Sequence, residues 1–342
     1  MYNQRKAEGG NDMIRFAVIG TNWITDRFLQ SGEGIADFTC TAVYSRSAEK
    51  GQAFAKKYGI ETVFTNLHQM ATSDVFDAVY IASPNALHKE QAILMMEHQK
   101  HVLCEKPLAS HRKEAEQMIA IAKKHHVCLM EAMKTTFLPN FLQIKQHLDQ
   151  LGSIRQVVAH YCKYSSRYDA YRNGDIPNAF MPELSNGSLM DIGVYLIFPT
   201  IYLFGLPNQI TAKGYKLSSG VDGNGSLLLQ YDGHQALLFH SKISTSHLSA
   251  EIQGEDATMV IDQFHRPSLI TIHDRKGNQT DISLQDDQPA MYYEIDHFIQ
   301  CVQQGKRESP INSFALSVQT MSVMDEARRQ MGIVYPADRQ TN

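Results

Sequence analysis

The sequence predicts an α/β chain in two parts: a doubly wound parallel sheet at the N-terminus, then an α+β domain built on a large, mainly antiparallel open sheet. Three observations carry this. At roughly 150 residues per domain, 342 residues make about two domains. Residues 14–131 alternate short runs rich in Val, Ile and Phe with amphipathic stretches of helical spacing, the pattern of parallel strands joined by crossover helices. From residue 154 onward, apolar runs follow one another through short polar turns such as DGNG and DRKGN, which join antiparallel neighbours.

In chain order, residues 1–12 carry no apolar period and read as a disordered leader or tag remnant. Strands follow at 14–20, 38–45, 62–65, 78–83 and 101–105, with a sixth candidate at 128–132, and helices at 24–31, 48–58, 85–98 and 112–125 between them. This is a Rossmann-type half, spanning 13–134. The second domain, 135–342, opens with a helix at 139–151. Strands follow at 154–163, 209–217, 225–231, 235–243, 247–253, 258–262 and 268–273, and helices close it at 291–305 and 313–331.

Composition narrows the function. Hydrophobic residues at 43% and charged residues at 20% describe a globular chain, and 32 basic against 36 acidic residues leave a net charge of −4. That balance gives no attraction to nucleic acid or an anionic membrane, so the expected partner is a small molecule. Cys40, Cys104, Cys128, Cys162 and Cys301 form no CxxC pair, which fits a reducing cytoplasm. The longest apolar run, 193–206, is broken by Pro199 and is too short to span a bilayer. His98, His101 and Cys104 are spread from a helix end into a strand, so no metal site is expected.

The first strand runs into Gly20-Thr21-Asn22-Trp23-Ile24-Thr25, where a dinucleotide fold has GxGxxG and a helix N-terminus meets the pyrophosphate. Asn22 and Thr25 replace two glycines, and Asn is among the few other residues that accept left-handed backbone geometry. At the end of the second strand, Ser45 and Arg46 stand where NAD binders carry an acidic residue. A hydroxyl and a guanidinium suit a 2′-phosphate, which favours NADP over NAD.

Strand ends four and five carry Ser83-Pro84-Asn85-Ala86-Leu87-His88 and Glu105-Lys106-Pro107, and the second domain carries Asp191-Ile192-Gly193-Val194-Tyr195. With these three motifs in order, the chain resembles the Gfo/Idh/MocA family of oxidoreductases from residue 13 to about 336. The resemblance implies NAD(P)-dependent hydride transfer at a secondary alcohol or ketone of a sugar, cyclic polyol or derivative. It places Ser83, Pro84, Asn85, His88 and Glu105 on the nicotinamide and ribose side, with Lys106, Tyr195 and Asp191 at the reacting oxygen. Chemistry agrees: removing a hydroxyl proton as hydride leaves needs a base and a cation near the developing alkoxide. Lys106 supplies the cation and favours the Tyr195 phenolate, while Asp191, four residues before Tyr195 on a shared helical face, holds the lysine or a substrate hydroxyl. Tyr195 in place of the family's commoner histidine looks like the dihydrodiol dehydrogenase and glucose-fructose oxidoreductase branches, so a trans-dihydrodiol dehydrogenase-like activity is the alternative. A non-catalytic nucleotide-binding sensor is the rival from another class. The chain departs from the W-x-R-F-x-P of many relatives at Lys134-Thr135-Thr136-Phe137-Leu138-Pro139, which leaves the substrate open.

Strand 235–243 sets Ala236, Leu238, His240 and Lys242 on one side and Leu237, Phe239, Ser241 and Ile243 on the other. The second side is mainly apolar, and members of the resembled family pair through this sheet. A homodimer or homotetramer is therefore expected, unless the closing helices cover that side within one chain.

Overall fold

The computed structural model describes residues 13–339, so the expected leader at 1–12 lies outside the described residues. The N-terminal half runs β1 (Ile14–Ile19), α1 (Trp23–Gly32), β2 (Phe38–Tyr44), α2 (Ala48–Tyr58), β3 (Thr62–Phe64), α3 (Leu67–Ala71), β4 (Ala78–Ile81), α4 (His88–Glu97), β5 (His101–Glu105), α5 (Arg112–His125) and β6 (Leu129–Ala132). All six strands are parallel, in the order β3-β2-β1-β4-β5-β6. The progression reverses between β1 and β4, and a doubly wound sheet binds its ligand at such a switch point. Helices cover both faces, which is why the strands are near-continuous apolar runs: Phe16, Val18, Val79, Tyr80 and Leu103 are fully buried. The five-residue α3, capped by Asn66, is too short to show a helical period in the sequence.

The C-terminal half contains α6 (Pro139–Gln146), β7 (Ile154–Cys162), α7 (Tyr168–Arg172) and a π turn (Leu189–Gly193) that continues into α8 (Val194–Phe204). The strands β8 (Gln209–Lys216), β9 (Asp222–Gln230), β10 (Gln235–Ser241), β11 (Ala250–Gly254), β12 (Ala257–Ile261), β13 (Ile270–Asp274) and β14 (Gln279–Asp281) follow. The chain closes with α9 (Tyr292–Gln303), α10 (Phe314–Met331) and α11 (Pro336–Arg339). The sheet order is β14-β13-β12-β11-β7-β10-β9-β8, with one parallel pair, β7 against β10. Eight strands stand where seven were expected. The extra one, β14, is three exposed polar residues with no apolar alternation to announce it.

One face of this sheet is core. Val157, Ala159, Leu227, Leu229, Ala236, Leu238, Ile252 and Met259 are each at most 2% exposed, beneath α8 and α10. The apolar run 193–206 is α8, with Val194, Leu196, Ile197 and Phe198 fully buried. The other face stays uncovered by the described residues, and Leu237 there is 36% exposed. Helix α10 lies on the core face, while α9 returns to the first sheet, setting Phe298 5.9 Å from Phe16. Removing either buried ring would cost about 3–5 kcal/mol.

Candidate active site

Gly20 ends β1 at φ +110°, and a Cβ there would stand 3.0 Å from the Ala82 carbonyl oxygen, so the turn requires glycine. Asn22 is not left-handed as expected. It is extended (φ −98°, ψ 175°) because its side chain serves as a cap: Oδ1 accepts from the Ile24 and Thr25 amides at 3.0 and 3.4 Å, and Nδ2 donates to the Ala82 carbonyl at 2.8 Å. That bond pins the loop to the end of β4. The amides of Asn22 and Trp23 make no hydrogen bond among the described residues, at a helix N-terminus suited to an anion. Trp23, with the Arg27 guanidinium 5.1 Å over its ring, is 58% exposed beside Thr21 and Ile24. Across the strand ends, the Ser45 hydroxyl accepts from the Ser47 amide at 3.3 Å, and Arg46 is exposed with no ion pair among the described residues. Unspent amides, a glycine-only turn and a free guanidinium without an acidic neighbour on the β2 end fit a phosphorylated dinucleotide.

Four residues that the resemblance sets beside the nicotinamide have side chains committed to protein contacts. The Ser83 hydroxyl donates to Gln91 at 2.7 Å. The Asn85 amide donates to the Ser185 carbonyl at 2.8 Å, tying this loop to the second domain. Fully buried His88 has its two ring nitrogens 3.0 Å from the Ser83 and Pro107 carbonyl oxygens and braces two loops. Glu105 accepts from the Tyr80 hydroxyl at 2.5 Å and from the Lys106 amide at 3.2 Å. These bonds fix the loops that follow β4 and β5. Pro84 leads into the 3₁₀ turn at Asn85–Leu87.

Lys106 follows β5 and precedes a cis peptide to Pro107. Its ammonium donates to the Asp191 main-chain oxygen at 2.8 Å and to Asp191 Oδ1 at 3.1 Å. Asp191 lies in the π turn, not in a regular helix shared with Tyr195. Gly187, at φ +140°, leaves no room for a side chain against Asp222, and Asp222 takes the Leu189 amide at 2.6 Å, which fixes the entry to the turn. Asp191 and Tyr195 meet around Lys106 all the same. The second Asp191 oxygen is held by the buried ammonium of Lys242, a residue the sequence reading left out of the site. Its signal was present: a lysine on the Ala236-Leu238-His240 side of β10, inward by register, needs a counter-charge.

Burial works against the Lys106 charge, yet Asp191 and Glu105 hold its pKa above the ordinary lysine value. Burial also opposes ionisation of Asp191, but Lys106 and Lys242 pull that carboxyl well below its usual range. Tyr195 departs from expectation. The Lys106 ammonium sits 4.9 Å over the ring face, not at the hydroxyl, and burial pushes the phenol well above its ordinary value against a downward pull from Lys134. Tyr195 is therefore a neutral phenol whose hydroxyl makes no hydrogen bond among the described residues and can donate or accept one. Among those residues no cluster of His, Cys, Asp or Glu is arranged to hold a metal.

Residues 14–133 match the profile described as "Oxidoreductase family, NAD-binding Rossmann fold", and residues 141–260 match the "GFO/IDH/MocA C-terminal domain". The scyllo-inositol 2-dehydrogenase (NADP(+)) IolU of Bacillus subtilis is 61% identical over 327 residues, 96% of this chain and 100% of the relative. A trans-1,2-dihydrobenzene-1,2-diol dehydrogenase of Xenopus tropicalis is 32% identical over 88% of this chain and 92% of its own length. A solved 3-ketoreductase from Actinomadura kijaniata, in complex with NADP and TDP-benzene, superposes with a TM-score of 0.83 at 25% identity, covering 94% of this chain and 98% of that one. With both halves matched in order and 96% of its length aligned to a relative 61% identical, the chain belongs to the Gfo/Idh/MocA family of NAD(P)-dependent oxidoreductases acting on CH–OH groups.

Proposed function

We propose that the chain is an NADP-dependent dehydrogenase of cyclic polyols that oxidises one secondary hydroxyl of an inositol such as scyllo-inositol to the ketone, and runs in reverse on the ketone. The observation that carries this is the Lys106 ammonium, held by Asp191 over the ring of Tyr195, whose hydroxyl is unspent among the described residues. The relative at 61% identity, named for scyllo-inositol and NADP, supports the choice of substrate and cofactor. Residues 13–134 then serve as the cofactor domain and 135–342 as the substrate domain.

In this reading Gly20, Thr21, Asn22, Trp23 and Ile24 receive the pyrophosphate, and Ser45 and Arg46 take the 2′-phosphate. Bound NADP supplies the hydride acceptor. Lys106 donates a hydrogen bond to the reacting oxygen and stabilises the charge that grows there. Tyr195 passes a proton to or from that oxygen, and Asp191, anchored by Lys242, fixes where Lys106 points. The uncovered face of the second sheet, with Leu237 and Phe239, supports pairing as a homodimer or homotetramer. Five unpaired thiols support a reducing, cytoplasmic setting.

The test mixes the purified chain with NADP and a polyol panel and follows absorbance at about 340 nm, where the reduced nicotinamide absorbs. Reduction of NADP with scyllo-inositol is the expected result. No reduction of NADP or NAD by any member, with cofactor binding intact, would replace this reading with that of a sensor.

A further inference from the structure

Beside Lys106 and Tyr195 stands a second group of side chains, outside the three matching motifs, that includes Lys134 at the head of the segment departing from W-x-R-F-x-P. Lys134 follows β6, Tyr161 lies on β7, and His265 lies in the loop after β12. They converge on Tyr195: the Lys134 ammonium is 5.4 Å over its ring, and the Tyr161 and His265 rings lie 6.0 and 6.4 Å from it. Tyr161 and His265 stack on each other at 3.7 Å with their planes 10° apart. The Thr135 hydroxyl donates to the His265 carbonyl at 2.8 Å, which locks the Lys134 turn to the His265 loop.

What sets these residues apart is that their polar atoms are unspent. The Lys134 ammonium and the Tyr161 hydroxyl make no hydrogen bond among the described residues, and His265 Nδ1 is buried without a partner. Burial and nearby Lys134 push the His265 pKa down to about 4, so the ring is neutral near pH 7 and offers one donor and one acceptor. A half-buried ammonium and a buried orphan nitrogen are costly unless a ligand satisfies them. By contrast, the nearby Lys106 and Lys242 ammoniums are both paired to Asp191.

We infer that Lys134, Tyr161 and His265 form the wall that reads the substrate hydroxyls flanking the reacting one, and so decide which polyol the site takes. This rests on the polyol reading above. The chemistry matches: neighbouring ring hydroxyls each donate and accept, and the wall offers a cationic donor, a phenol and a neutral imidazole. A site built to hydrogen-bond a substrate hydroxyl rejects an analogue that lacks it, because the buried groups are then left unpaired.

The experiment compares Lys134→Met, Tyr161→Phe and His265→Asn with the wild-type enzyme on two substrates. One is scyllo-inositol; the other is trans-1,2-dihydrobenzene-1,2-diol, which carries a single hydroxyl besides the reacting one. The expected result is a loss of kcat/KM on scyllo-inositol at least tenfold larger than the loss on the diol for Lys134→Met, carried mainly by KM. Smaller losses of the same sense are expected for the other two. Equal losses on both substrates, or none, overturn the inference. If the wild type turns over neither substrate, calorimetry of scyllo-inositol binding to the NADP-loaded enzyme decides. Binding that weakens at least fivefold in Lys134→Met keeps the wall and discards the reaction. No binding, or equal binding, discards the wall as well.

Discussion

The proposed cofactor mouth, at residues 20–24 with Arg46, and the proposed catalytic corner, at Lys106, Asp191 and Tyr195, are built on opposite principles. At the mouth, among the described residues, Arg46 is exposed without an ion pair and the amides of Asn22 and Trp23 are unspent, and Trp23 is 58% exposed. In the corner, Lys106 and Lys242 are both tied to Asp191, and the Lys106 side chain is only 11% exposed. The mouth keeps its hydrogen bonds for a polyanion that brings its own charge. The corner spends them in advance so that one ammonium stands in one place, the preorganisation that electrostatic stabilisation of a developing charge requires. Substitutions at the mouth should therefore cost affinity, and substitutions in the corner should cost rate.

The largest expected effect is in the corner. Tyr195→Phe should lower kcat by about 10²–10⁴-fold, the worth of a positioned proton-transfer group, and flatten the alkaline limb of the oxidation profile. Because burial holds this phenol above its ordinary range, the wild-type limb should keep rising into that range. An unchanged limb would move the proton to Asp191 or to water.

Next is Asp191→Asn, which leaves two ammoniums facing each other without their carboxylate. A kcat loss of about 10²-fold with little change in NADP affinity is expected, since Lys106 loses its aim but the mouth is untouched. Steady-state kinetics and a cofactor titration on one preparation check it. A loss confined to cofactor binding would dissolve the distinction between the two regions.

The support beneath the corner is itself titratable. Glu131 on β6 is 2% exposed and accepts from the Leu108 amide at 3.1 Å, two residues past Lys106, and from the Ser317 hydroxyl at 2.6 Å. Burial raises its pKa from 4.5 to about 7. The folded state thus holds this proton more tightly than the unfolded chain. The stability it contributes is full below pH 4.5 and is lost as pH rises through about 7, up to about 3 kcal/mol in all. Glu131→Gln should flatten that part of the dependence, measured as urea midpoints at pH 5 and pH 8. An unchanged difference between the two midpoints would show that Glu131 is ionised throughout.

The smallest effect lies at the mouth. Arg46→Ala should weaken NADP binding by about 1–3 kcal/mol and leave NAD nearly unchanged. Trp23 is the single tryptophan of the chain and opens α1 beside the proposed pyrophosphate loop, so its fluorescence should read this titration. Equal losses for both cofactors would mean that Arg46 stacks on the adenine.

What the sequence made legible follows the same division. The parallel strands, the Gly20 turn and the position of Ser45 and Arg46 at the end of β2 are local features, and each was readable from a few neighbouring residues. The three-motif resemblance named Lys106, Asp191 and Tyr195, which the fold brings together. It did not name Lys242: the inward-facing side of the strand marks a buried lysine, but its partner Asp191, 51 positions away in the π turn, is set by tertiary packing. The π turn was hidden for a related reason: it depends on Asp222 holding the Leu189 amide across 33 positions. Asn22 misled in another way. Its residue type permits left-handed geometry, but its side chain found a better use as a cap. His88 and Asn85, carried by a motif, also brace the loops at the ends of β4 and β5, contacts that the motif itself does not announce.

The most direct test of the division is Lys106→Ala, read two ways on one sample: single-turnover oxidation of scyllo-inositol by absorbance, and NADP affinity by Trp23 fluorescence. The account predicts that turnover falls by about 10²–10³-fold, the worth of a donor at a developing oxyanion, while affinity stays within about tenfold. Near-normal turnover, or a collapse of cofactor affinity matching the loss of rate, would contradict it.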